Sequence, residues 1–62
     1  MKAGEVWADD RGLTVLALEA DDGLKRARFL VLDNGDAPMW APGEVERLSV
    51  VTVESLMRRV AP

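Results

Sequence analysis

Neither cysteine nor histidine occurs in the 62 residues. Without cysteine, no disulfide can brace the chain, and thiolate zinc sites of the zinc-finger type are excluded. Without histidine, Ser49 and Ser55 have no imidazole to serve as base, which removes the usual route to an activated serine. Aromatic residues are scarce: Trp7, Trp40 and Phe29 are the only ones. No apolar run approaches the roughly 18 residues of a membrane span, and nothing at the start reads as a signal peptide. The expectation is a cytoplasmic protein with no membrane partner. Positive charge is in the minority, with 8 Lys and Arg against 11 Asp and Glu and a net charge of −3. That balance argues against a dedicated nucleic-acid binder, although a local basic patch is still possible.

The chain is 48% hydrophobic, the composition of a globular protein. Its length points to a single domain, 1–62, that buries only about 60% of the surface its unfolded chain exposes. The organising stretch is Leu13 to Leu32, where two apolar, β-rich runs flank the acidic turn Asp21-Asp22-Gly23. This pattern predicts a β-hairpin. With a two-residue type I′ turn at Asp22-Gly23, Glu19 faces Arg26, Leu18 faces Ala27, Leu16 faces Phe29 and Thr14 faces Val31. The core face is then Thr14, Leu16, Leu18, Ala27, Phe29 and Val31. A three-residue loop would instead set Leu18 against Arg26 and mix charge into that face, so the first register is preferred.

Before the hairpin, Val6 and Trp7 read as strand, and Asp9 to Gly12 as a turn with Gly12 left-handed. Val6 would pair with Leu16 on the core face, and Trp7 with Val15 on the other. After Leu32, Asn34-Gly35 signals another turn. Pro38 and Pro42 confine Met39 and Trp40 to a short edge strand or extended loop, and Pro42-Gly43 suits a type II turn. Val45 to Val51 reads as the last long strand. Val53, Leu56, Met57 and Val60 then recur at helical spacing, with Thr52 as N-cap, predicting a helix over Val53–Val60; a strand is the alternative there. The expected fold is mainly β, a small five-stranded SH3-like barrel with a short C-terminal helix.

The opening Gly4-Glu5-Val6-Trp7-Ala8-Asp9, followed by Arg11-Gly12, resembles small bacterial and phage proteins that begin with a G-x-x-W-x-D-x-R-x-G-like strand and turn. Here Gly12 follows Arg11 directly. The resemblance implies an SH3-like barrel without a defined activity. The same opening is similar to that of the plasmid-maintenance endoribonuclease toxins, which implies a catalytic role for Arg11. The serine or threonine that those toxins carry on a later strand has no counterpart, and neither does their R-P-V-L-V-type strand.

A barrel this small has one narrow interior, yet the chain supplies apolar residues to both faces of its central hairpin. The surplus predicts a partner-binding surface of Trp40, Met39, Leu13, Val15, Leu30 and Leu32, with Trp40 as anchor. Lys25, Arg26 and Arg28, with Arg58 and Arg59, are the candidates for phosphate contact; a solvated face is the plainer reading. Asp33-Asn34-Gly35-Asp36 lacks the spacing and distal glutamate of a calcium loop, and aspartates in turns cap backbone N–H groups. No metal and no cofactor are expected. The reading that follows is a non-enzymatic module binding another protein, as a phage or accessory-element protein acting on a host factor would. The alternatives are a nucleic-acid-binding or ribonuclease-toxin-like barrel and a structural subunit of a homo-oligomer.

Overall fold

The computed structural model describes residues 1–19 and 25–62. The Asp22-Gly23 turn expected at the hairpin tip lies outside them. Five strands and one helix follow in chain order: β1 (Val6–Ala8), β2 (Leu13–Ala17), β3 (Arg26–Asn34), β4 (Val45–Ser49), α1 (Val50–Leu56) and β5 (Arg58–Ala61). The strands form a single antiparallel sheet in the order β4-β3-β2-β1-β5, so β4 and β5 are its edges. The helix connects one edge to the other.

The β1–β2 register is the expected one, with Val6 opposite Leu16 and Trp7 opposite Val15. Its cause is local. Asp9 Oδ1 accepts the N–H groups of Arg11 and Leu13 at 2.8 and 2.9 Å, which sets the length of the turn. Gly12 and Gly43 take the positive φ that their turns demand, 92° and 93°.

The β2–β3 register differs from both readings of the hairpin. Val15 lies opposite Val31, Leu16 opposite Leu30 and Ala17 opposite Phe29, with a bulge between Thr14 and Val15. The shift of one residue turns β2 over. Val15 and Ala17 face the core with Ala27, Phe29 and Val31, whereas Leu16 is half-buried and Leu18 exposed on the other side. Small Ala17 opposite Phe29 makes room for the ring, which the expected pairing with Leu16 would crowd. Glu19 accordingly meets Arg28 and not Arg26: its Oε1 accepts the Arg28 N–H at 2.9 Å, and its Oε2 lies 3.7 Å from Arg28 Nε. The same reversal carries Trp7 onto the core, where it packs beside Val15, and leaves Val6 on the outer side.

The C-terminal segment divides where one helix was expected. Ser49, not Thr52, is the N-cap, its hydroxyl accepting the Thr52 N–H at 3.4 Å. The helix starts at Val50 and buries Val50 and Val53; Leu56 is 72% exposed. Arg58–Ala61 then pairs with β1 as β5. The Pro38–Pro42 segment is neither strand nor extended. Trp40 N–H bonds back to Ala37 O at 3.1 Å and Glu44 N–H to Ala41 O at 3.1 Å, giving two consecutive tight turns with Trp40 between them.

Candidate functional site

A cavity of about 610 Å³ opens where the β1–β2 turn, the Trp40 loop, β4 and α1 meet. Its apolar wall is made by Leu13, Trp40, Leu48, Val53, Leu56 and Met57. Leu13, Trp40, Leu48 and Met57 are half-buried and pack on the core cluster, so the Trp40 side chain is backed by the core. The polar rim is Asp9, Asp10, Arg11, Arg26, Arg47, Ser49 and Thr52.

Strand geometry places this cavity along an edge. Successive side chains of a strand point to opposite faces. Leu48 lies across from buried Ala27 and shares its face, while Arg47 pairs across from Arg28 on the outer face. Both line the cavity with Ser49, so it reaches both faces of β4 at the end of the strand next to α1. The backbone there is unpaired by any described strand. Val31 N–H bonds to Glu44 O and Val50 N–H to Lys25 O, so alternate residues from Glu44 to Val50 point their backbone groups at β3. The N–H and C=O groups of Val45 and Arg47 therefore point away from the sheet.

The charges at the rim are unequal in their freedom. Asp9 is engaged by its own turn. Arg11, Arg26 and Arg47 make no ion pair with a carboxylate among the described residues, whereas Arg28 pairs with Glu19 and Arg59 with Glu5. The Glu5–Arg59 contact is 3.0 Å long and joins β5 to the start of β1. The Lys2 N–H, at 2.8 Å, and the Arg59 guanidinium hold the Glu5 carboxyl below its ordinary pKa.

Of the apolar residues expected to form one binding surface, Trp40 and Leu13 meet at the cavity. Val15 is fully buried, a correction that follows from the reversal of β2. Leu30 and Leu32 lie on the outer face of β3, half-buried and exposed respectively, and Met39 is 71% exposed at its turn. Of the basic candidates, Arg26 and Arg28 share the outer face of β3, and Lys25 is exposed just before it. Arg58 and Arg59 belong to β5, with β1 and β2 between them and β3 in the sheet. The five do not form one patch. Of the residues lining the cavity, only Leu13, Trp40 and Arg26 were expected as binding residues; Arg47, Leu48, Val53, Leu56 and Met57 were not. Strand alternation within Val45–Ser49 puts Arg47 on the outer face, but nothing local says that this strand is an edge.

The described residues hold no cluster of acidic side chains able to bind a metal ion, and no helix among them is long and apolar enough to cross a membrane. No family model, curated protein or solved structure matches the chain.

Proposed function

We propose that the chain is a non-enzymatic SH3-like module that binds a segment of another protein in the cavity at Trp40. The SH3-like reading is supported by the meander β1 to β4, the short helix after it, and the return of β5 to β1. The observation that carries the binding reading is a half-buried tryptophan, packed on the core, that lines a cavity of about 610 Å³ beside an unpaired strand edge. Tryptophan anchors in such positions dominate binding energy, and a cavity of this size suits a few side chains of a partner. Lack of cysteine fits a cytoplasmic working place.

The test is selection of random peptides on the full chain. The expected result is a family of binders that shift the Trp40 indole resonance and lose affinity by about 30-fold on Trp40→Ala, equivalent to about 2 kcal/mol. Because Trp40 also packs on the core, Leu56→Glu is the second variant. Leu56 is exposed and lines the same cavity, so the fold survives while the wall gains a charge. Binders indifferent to both substitutions, or no binders above an unrelated control, would overturn the reading.

A further inference from the structure

We infer that the occupant of this cavity is an extended peptide segment that adds to the free edge of β4 and carries acidic residues on either side of an apolar one. The inference rests on the binding reading above and specifies the chemistry of its partner. Three observations carry it.

The first is charge. Arg11, Arg26 and Arg47 converge on one cavity without a described carboxylate partner. Guanidinium groups recognise carboxylates in a forked, bidentate geometry. The second is the strand edge. Val45 and Arg47 turn their N–H and C=O groups away from β3, which is the template an added strand requires. The third is alternation. Arg47 lies on the outer face of β4 and Leu48 on the inner. An added strand has the same period of two. Side chains on its outer face would meet Arg47 directly and, across Ser49, the side chain of Arg26 on β3, and the one between them would enter beside Trp40 and Leu48. The recognised pattern is thus acidic, apolar, acidic.

A single-stranded nucleic acid would also meet arginines and a tryptophan. The whole chain disfavours it: net charge is −3, and Asp9 and Asp10 stand at the same rim. A polyanion feels that field over its length, whereas a peptide with two carboxylates feels chiefly the nearby arginines.

The experiment uses the peptides selected on the full chain, synthesised with blocked ends, and oligo-dT as the competing probe. The selected sequences are expected to show the acidic-apolar-acidic pattern. Replacing their acids by amides, or making Arg47→Glu or Arg11→Glu in the protein, should each weaken binding by about 10-fold or more. Both arginines are exposed, so these variants fold. Methylation of alternate peptide amides should abolish binding, and the Val45 and Arg47 amide resonances should shift on titration. Selected peptides that need Trp40 yet are neutral, and that bind Arg47→Glu as well as the wild type, would overturn this inference while leaving the binding reading intact. Tighter, arginine-dependent binding of oligo-dT would overturn both.

Discussion

Glu5 is the residue on which two ends of the chain are tied together. Its carboxylate accepts the Lys2 N–H and pairs with Arg59, which belongs to the last strand. Both contacts favour the charged form, so the folded chain holds this carboxyl below its ordinary pKa. A depressed folded-state value stabilises fully above the unfolded value, about 4.3, and the contribution is lost as pH falls below it. The melting temperature should therefore drop as pH falls below about 4.3, and Glu5→Gln should show a shallower drop over the same range. Thermal melts followed by circular dichroism at stepped pH measure both slopes; parallel curves would remove Glu5 from the acid response. Gly35 acts at the same scale by close approach. It has φ 50°, and a Cβ there would fall on backbone of the β1–β2 turn, 2.5 Å from Leu13 N and 2.6 Å from Gly12 C, with Arg11 O nearer still. Backbone cannot step aside as a side chain does. Gly35→Ala is expected to cost about 1–3 kcal/mol in urea unfolding, against roughly 0.5 or less for an ordinary surface change.

The element that separates sequence pattern from structure is the C-terminal turn of helix. Val53 is 3% exposed and Leu56 72%. Val53→Ala should cost about 1–3 kcal/mol and Leu56→Ala less than about 0.5, both from urea midpoints at unchanged slope. A comparable cost for both would mean that the helix presents the face expected from Val53, Leu56, Met57 and Val60. That spacing is real, but it straddles a boundary: Met57 still packs on the core, while Val60 belongs to β5. Ser49 went unread as a cap because Val45, Val50 and Val51 flank it on both sides, and a hydroxyl within a stretch read as strand gives no signal of its own. The β1–β2 pairing was legible because Asp9 and Gly12 set the turn length locally. The β2–β3 pairing was not. It depends on a bulge at Thr14 and Val15 and on a choice between valine and leucine for the core, both apolar and both strand-compatible. The site inherits the same division. Trp40, Leu13 and Arg26 could be singled out as residues, but their meeting with Arg47 and Met57 is a product of the sheet order and the helix.

At the scale of the whole molecule, the limit is the size of the core. Among the described residues, the fully buried side chains of largest volume are Phe29, Val15 and Val31, and Phe29 is the only phenylalanine in the chain. A chain of this length is expected to hold together by about 3–9 kcal/mol. No disulfide adds to that figure. Phe29 lies on the central part of β3, pairing with Ala17 on one side and Glu46 on the other, so its ring spans the middle of the sheet. Loss of a buried phenylalanine costs about 3–5 kcal/mol, through both lost burial and the cavity left behind. In a larger domain that is a fraction of the total, whereas here it is of the same order as the total. Phe29→Ala is therefore expected to leave the chain mostly unfolded at 25 °C, with flattened far-ultraviolet dichroism and no cooperative urea transition. Phe29→Leu retains most of the volume and should remain folded with a cost of about 1–2 kcal/mol, which lowers the melting temperature of so small a domain by roughly 4–16 °C. The pair separates the two sources of stability. If Phe29→Ala still melts cooperatively near the wild-type temperature, the fold is held by its backbone ladder and terminal ion pairs, and the core is not what limits it.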